Sequence, residues 1–367
     1  MGSVQNLPRD TRCLRLLLNG LSHVGPVTVR RLQEAFDNDL WQALHAGPNA
    51  WRKIKGITEP VVQSLEAKNF DWVKELAEVE KAGYEILYPE QAKWPQPLSQ
   101  LWDPPLVLYA EGSEIPQTKS IAIIGSRHCS PYGAHLAHQV SHDLAQAGWW
   151  IISGMARGID VAAHEGALKA GGRTAAVLGH GLNLTYPPEA IKLRRQIASQ
   201  GCLLSEFPLG RPADRQSFPQ RNRLVAALVQ AVVVVETDVD GGSMITARFA
   251  GDLGKTLCAF PGRVDNATSR GCHALIRDGA TLVSSVDDIL AELGETRGQL
   301  SLPLETMTAD EKRWLHYFRG GTIHDAESLS AVAKCSLHEA AGALTYLEIK
   351  GRLSRRSDGR HEGQATI

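Results

Sequence analysis

Between residues 120 and 293 the chain repeats one unit: a short uninterrupted apolar run, a glycine-bearing turn, and a segment with apolar residues three and four apart. The runs are SIAIIG (120–125), WWIISG (149–154), TAAVLG (174–179), CLLSE (202–206), AVVVVE (231–236) and TLCAFPG (256–262), with PLVLYAEG (105–112) adding a strand in front. Strands covered on both faces read as continuous rather than alternating apolar stretches. The pattern therefore predicts an α/β fold, a Rossmann-like, doubly wound, mostly parallel sheet with helices on both sides.

The flanks have other rhythms. Residues 1–80 are helical in pattern, and two segments, LSHVGPVTVRRL (21–32) and IKGITEPVVQSL (54–65), share an apolar-x-Gly-apolar turn. They resemble the helix-hairpin-helix or SAM-like family, in which hairpin amides contact a DNA phosphate. A small helical cap that uses glycine only to turn fits the same residues. Residues 81–297 form the predicted Rossmann-like domain. It opens with a proline-rich, extended linker over 81–104. Residues 303–367 resemble a winged helix, with helices over Ala326–Val332 and Leu337–Glu348, a turn near Cys335 and a wing turning at Gly351. Lys350, Arg352, Arg355, Arg356 and Arg360 against Asp358 make that end positive. Such modules serve DNA binding or protein docking.

Composition removes several classes. At 367 residues and 43% hydrophobic content the chain is long enough for two or three domains with large cores. It lacks an apolar run of membrane-spanning length or a signal-peptide core, so the expected location is the cytoplasm and no membrane partner is expected. Six single cysteines without paired spacing predict reduced thiols and no zinc site. With a net charge of −1, any polyanion site must come from local clustering of Arg and Lys.

Several catalytic signatures fail at the working residue. GKT at 254–256 has Phe249 where a P-loop needs its first glycine, HE at 164–165 has Leu168 where a zinc helix needs its second histidine, and IGSRHCSPYG departs from GxGxxG. Neither a cofactor, a metal nor a catalytic residue is expected. What stands after the strands is small and basic: Gly125, Ser126 and Arg127; then Ser153, Gly154 and Arg157; then Phe218, Arg221 and Asn222; then Gly242, Ser243 and Thr246. Each predicted helix start there offers unpaired amides and about half a positive charge, and forked arginines suit successive phosphodiesters. Ligands bind open α/β sheets at this edge. Phe218 and Tyr186 are placed to stack on bases or to plug the core. Lys192, Arg194 and Arg195 extend the track or form a solvated face. Asp160 and His164 read as turn-structuring partners.

In order, the series IAIIGSRHCSPYG, SGMARGIDVAAHEGAL, TAAVLGHGLNLTYP, LLSEFPLG, SFPQRNRLVAAL, GGSMITARFAGDLGKTLCAFPG and SRGCHALIRDGA resembles the DNA-processing A (DprA/Smf) family over residues 84–293. The resemblance implies a non-catalytic protein that binds single-stranded DNA in a basic pocket, protects it and helps load the RecA recombinase in natural transformation, as a homodimer. It also implies that Arg127 is a principal phosphate contact, with Arg221 and Asn222 in the same pocket. Family members commonly have Ser-Gly-Ser where Gly241-Gly242-Ser243 stands here.

The competing reading is a nucleotide phosphoribohydrolase on the same fold. Its GGxGTxxE signature, aligned on Gly241 and Gly242, puts Met244 at the third glycine, Ile245 at the threonine and Arg248 at the catalytic acid. A base in place of that acid favours a polyanion over the hydrolysis. A pure adaptor acting through the winged helix is the third reading, and it predicts little intrinsic affinity for DNA.

Overall fold

A computed structural model describes residues 9–112, 114–117, 119–295, 309–349, 353–356 and 359–363. It separates into two compact units, Met1–Thr296 and Arg297–Ile367. In the first, six helices come first: α1 (Thr11–Gly20), α2 (Pro26–Ala35), α3 (Leu40–His45), α4 (Pro48–Trp51), α5 (Glu59–Ala67) and α6 (Trp72–Ala82). The alternating unit follows as β1 (Glu85–Leu87), β2 (Leu108–Gly112), β3 (Ser120–Ile124), α7 (Pro131–Gln146), β4 (Trp150–Ser153), α8 (Ile159–Lys169), β5 (Thr174–Val177), α9 (Ile191–Gln200), β6 (Cys202–Ser205) and α10 (Ser217–Ala227). It closes with β7 (Ala231–Val234), α11 (Gly242–Asp252), β8 (Thr256–Ala259), α12 (Ala267–Arg277), β9 (Thr281–Leu282) and α13 (Val286–Glu292).

The sheet runs β1-β2-β6-β5-β4-β3-β7-β8-β9, parallel from β6 to β9 and antiparallel at β1 and β2. Period-two geometry explains the continuous apolar runs. In β3, Ala122 and Ile124 enter one core with Leu224, Ala247 and Cys272 of α10, α11 and α12. Ile121 and Ile123 enter the opposite core with Val140, Ala163 and Ile289 of α7, α8 and α13. The chain steps outward from β3 through β4 and β5 to β6, then returns by α10 to lay β7 on the other side of β3. Helices on either side of that gap leave in opposite directions, and a crevice opens between them at the strand ends.

The region read as an extended linker contributes β1, in register Glu85↔Ala110 and Leu87↔Leu108, and the fully buried Trp94. Glu-Ile-Leu is too short to register as a strand pattern, and the prolines at 89, 95 and 97 that mark the linker begin only after it. In the helical part, the turns at Leu21–Gly25 and Ile54–Thr58 precede α2 and α5, and Arg31 Nη1 donates to the Gly56 carbonyl at 2.6 Å, joining the two. The second unit holds α14 (Ala309–Leu315), α15 (Ala326–Ala333) and α16 (Leu337–Ile349). A small sheet of β10 (Ile323–His324), β12 (His361–Gly363) and β11 (Leu353–Arg355) completes it. Lys350, Gly351, Arg352, Asp358 and the 297–302 linker lie outside the described residues.

The N-terminal helices grip the loop after β6. Glu75 of α6 is buried and accepts from the Tyr109 hydroxyl and the Leu209 amide, both at 2.8 Å. Asn19 of α1 donates to the Glu206 carbonyl at 3.0 Å. Beside it, the buried Arg223 of α10 pairs with Glu206 and lies 3.3 Å from Asp103. One guanidinium between two carboxylates leaves a negative charge in excess. Burial falls hardest on Glu206, whose side chain is 3% exposed against 28% for Asp103. Its carboxyl is accordingly pushed up to about 7, by burial first and by Asp103 in addition, against the pull of Arg223.

The sign of the pH dependence follows. A folded value above the unfolded one of about 4.3 means that the folded chain keeps a proton the unfolded chain has released. The stability this group contributes is fully present below the unfolded value and is lost as pH rises through about 7. Urea midpoints between about pH 5 and about pH 8 are expected to fall more steeply for the parent than for Glu206→Gln. Parallel profiles would refute the assignment.

Candidate nucleic-acid interface at the switch point

A cleft of about 400 Å³ occupies the crevice between β3 and β7. Ten residues singled out by sequence line it: Gly125, Ser126, Arg127, Gly154, Phe218, Arg221, Asn222, Gly242, Ser243 and Thr246. His128, Arg215, Thr237 and Asp238 line it as well. Ser153 and Arg157 do not. Ser153 is fully buried and its hydroxyl donates to the Ile123 carbonyl at 2.7 Å, tying β4 to β3. Arg157 faces a separate groove and donates to Glu189 at 2.5 and 3.1 Å.

The two principal arginines have different situations. Arg127 is exposed, with its guanidinium 4.4 Å from the centroid of the half-buried Phe218 ring. That stacking holds the cation at the mouth while leaving donors for a ligand. Arg221 is buried. It donates to the carbonyl of Gly154 at 2.5 Å, to the carbonyl of Val177, and through Nε to Asn222 at 3.1 Å. It therefore clamps the ends of β4 and β5 to α10. Gly154 is required there, since a Cβ would lie 2.2 Å from Arg221 Nη1. Burial lowers the Arg221 value to about 10, Asp160 opposing and Arg127 adding to the shift, so the group stays cationic at neutral pH.

The expectation is that the helix starts offer their amides to an anion; two of them, α7 and α10, and the turn ahead of α8 are already served by side chains from within the protein. At α7, Ser130 Oγ accepts from the Gly133 amide at 3.0 Å, and Glu236 accepts from the Ser130 amide and hydroxyl at 2.8 and 2.6 Å. Glu236 fills the space against Gly133, where a Cβ would come within 2.4 Å of its carboxyl carbon. Ahead of α8, the buried Asp160 accepts from the amides of Gly154 and Ala156 at 3.1 and 3.2 Å. At α10, Asp214 accepts from the amides of Gln216 and Ser217 at 2.8 and 2.7 Å. The starts of α8 and α11 both lack a side-chain cap, but the first α8 amide, Ile159, donates to the Ser126 carbonyl at 3.3 Å, whereas at α11 Gly242 and Ser243 line the cleft uncapped.

Other polar groups are also spent inside. Ser243 Oγ donates to Thr237 Oγ1 at 2.6 Å, and the Asn222 amide donates to the Gly242 carbonyl at 3.4 Å. Asp160 is pushed up by burial and held down by Arg221. His164 is buried against Thr174 and lowered to about 3 by burial, which keeps its ring neutral. Asp160 lines the cleft with its carboxylate held on turn amides, and His164 is fully buried away from the cleft lining. Sequence reasoning did not place Asp238 at the cleft, where its carboxylate accepts the Val239 amide at 2.7 Å. It also left out Glu236, whose only signal was an acidic residue ending an apolar run. Among the described residues there is no group of three or more side chains able to hold a metal ion, and no helix is long and apolar enough to cross a membrane.

Fold and cleft together define a Rossmann-like α/β protein with a crevice lined by Arg127, Arg215 and Arg221 at the sheet's topological switch point. Residues 85–294 match the family described as DNA recombination-mediator protein A, and the chain belongs to that family. Among curated relatives, Protein Smf of Synechocystis sp. is 35% identical over 278 residues, 74% of this chain and 70% of its own. DNA processing protein DprA of Streptococcus pneumoniae is 40% identical over 200 residues, 54% of this chain and 71% of its own. The solved DprA structure from Streptococcus pneumoniae superposes with a TM-score of 0.66 and 31% identity, covering 78% of this chain and 99% of that one. A Helicobacter pylori DNA processing protein A structure, described for its single-stranded-DNA binding mode, gives 0.53 and 32%, covering 57% and 95%.

The contrast between the arginines is measurable. Arg221→Met leaves two buried carbonyls and Asp160 without their partner and should lower stability by about 3 kcal/mol or more. Arg127→Ala removes an exposed stacking contact and should cost less than about 1 kcal/mol. Thermal or urea unfolding of the two variants reads the difference, and equal losses would contradict these placements.

Proposed function

We propose that the chain binds single-stranded DNA through the switch-point cleft. Arg127 and the open start of α11 hold successive phosphates, and Phe218 supports a base. The observation that carries this reading is the exposed Arg127 guanidinium stacked on Phe218 beside the uncapped Gly242–Ser243 turn. Two anion-binding devices of different kind, on opposite sides of one crevice, suit a repeating phosphodiester better than a single small phosphate. Family membership supports the wider role: protection of incoming DNA and loading of RecA in natural transformation, by a cytoplasmic homodimer. The helical segment before the sheet and the winged-helix-like unit after it are its further domains. The reading is non-catalytic. Of the carboxylates lining the cleft, Asp160 is buried on backbone amides and Asp238 serves its own turn, and Arg248 stands where a phosphoribohydrolase needs its acid.

The test is anisotropy titration of single- and double-stranded oligonucleotides across a salt series, with the parent and Arg127→Ala. Single strands are expected to bind tighter. The log–log salt slope should be about −0.7 for each phosphate neutralised, and Arg127→Ala should lose about one such increment. Its affinity should fall tenfold or more, about the worth of one charge-assisted contact. Equal binding by the variant would remove Arg127 from the site, and release of free base from nucleoside monophosphates would favour the hydrolase.

A further inference from the structure

Arg157, which the cleft leaves out, stands at the end of a stripe that begins inside it. The Arg127 guanidinium lies over Phe218, the Phe218 ring is 5.6 Å from the Tyr186 ring at 48°, and next to Tyr186 the Arg157 guanidinium has its charge favoured by Glu189 first and by the Tyr186 hydroxyl in addition. Both rings are half-buried and both cations are exposed. An interior aromatic pair would be sealed over, whereas these rings keep part of their surface toward solvent. Beyond Arg157 a second groove of about 490 Å³ opens, with Val161, Pro187 and Leu193 as its apolar surface and Lys192 at its side. Cation, ring, ring, cation, then a groove with another lysine is the alternation that single-strand binders use, since every base has a face to stack and every linkage a charge.

Arg157 is held by Glu189, and that contact is weak where it counts. Both side chains are more than half exposed, at 52% and 59%. An ion pair in that setting contributes little and weakens with salt. A phosphodiester arriving over Tyr186 offers Arg157 the same fork geometry that Glu189 offers.

We propose that a bound single strand does not end in the cleft: it crosses the Phe218–Tyr186 step, stacks at least one base there, and enters the second groove, where Arg157 exchanges Glu189 for a phosphate. This rests on the cleft being the single-stranded-DNA site. Glu189 then acts as a built-in competitor that discriminates by length. Short strands fill the cleft and leave the pair intact, and longer strands break it.

The experiment compares oligo-dT of about five and about twenty nucleotides, lengths chosen to fill one segment or both, on the full chain at fixed salt. Glu189→Gln should raise affinity for the longer strand about threefold, the worth of an exposed pair, and leave the shorter strand unaltered. Arg157→Gln should weaken the longer strand and reduce its salt slope by about 0.7, with a much smaller effect on the shorter. Tyr186→Leu should cost the longer strand about tenfold while Tyr186→Phe, which keeps the ring, retains most of the affinity. Equal responses at both lengths, or none to Glu189→Gln at the longer, would overturn the second segment while leaving the cleft in place. Failure of the parent to bind either strand would instead overturn the cleft reading and this extension with it.

Discussion

The crevice depends on one buried cation. Arg221 reaches from α10 under the ends of two neighbouring strands and donates to the carbonyls of Gly154 and Val177. Those carbonyls lie where the parallel ladder stops, and a buried acceptor without a partner costs roughly 1–3 kcal/mol. A single guanidinium nitrogen, Nη1, satisfies both, and Nε reaches Asn222 from the same planar group. The clamp also fixes where α10 sits, and so where Phe218, three residues earlier on the same helix, presents its ring to Arg127. Asp160 makes the burial tolerable. It offsets the charge of Arg221 while its oxygens take the turn amides of Gly154 and Ala156.

The anion site proposed for this nearly neutral chain relies on the same economy of charge. Helix starts along a sheet edge are generic phosphate sites, and four of them together would attract any polyanion. Glu236 and Asp214 serve two from inside, and at a third, α8, Asp160 takes the turn amides just ahead while the Ser126 carbonyl takes the Ile159 amide. The remaining start, at α11, lies opposite Arg127. Attraction is thereby confined to one line across the crevice, between a point cation and a row of amides. A ligand must satisfy both at once, which favours a chain of phosphates over an isolated one.

The fold was legible because burial on both sheet faces leaves a mark in the sequence. Ile121 to Ile124 and Ala231 to Val234 are apolar without interruption since alternate residues serve opposite cores. The antiparallel margin was harder to read. β1 is three residues long and lies next to a proline-rich stretch that reads as linker. The place of the site was legible as well, because glycines and arginines collect where strands end. What the sequence could not express was direction. Arg127, Arg157 and Arg221 are the same residue type following neighbouring strands, yet one is exposed over a ring, one is paired in a neighbouring groove and one is sealed beneath the strands. That division is decided by which acceptors tertiary packing brings within reach. Glu236 and Asp160, the carboxylates that take amides at the α7 start and in the turn ahead of α8, are separated by 106 and 6 residues or fewer from the amides they hold. Only the nearer of the two left a local trace.

The grip on the loop after β6 has a consequence for the crevice. Residues 206–216 carry Arg215 to the cleft and lead into α10, and three contacts from outside the sheet hold them: Asn19 on the Glu206 carbonyl, Glu75 on the Leu209 amide, and Arg223 against Glu206 and Asp103. Two of those contacts come from the N-terminal helices. The helical segment thus helps set the position of a cleft-lining arginine and of the helix that bears both Phe218 and Arg221, whatever else its hairpin turns contact. Its buried polar groups are arranged accordingly. Glu75 is pushed up by desolvation and held down by the Leu209 amide and Tyr109, so it is at its best only while the loop keeps its place. Apolar contacts such as those of Leu16 and Val79 with the core around Leu203 tolerate sliding. Directional hydrogen bonds to one loop do not, and they couple the first eighty residues to the geometry of the crevice.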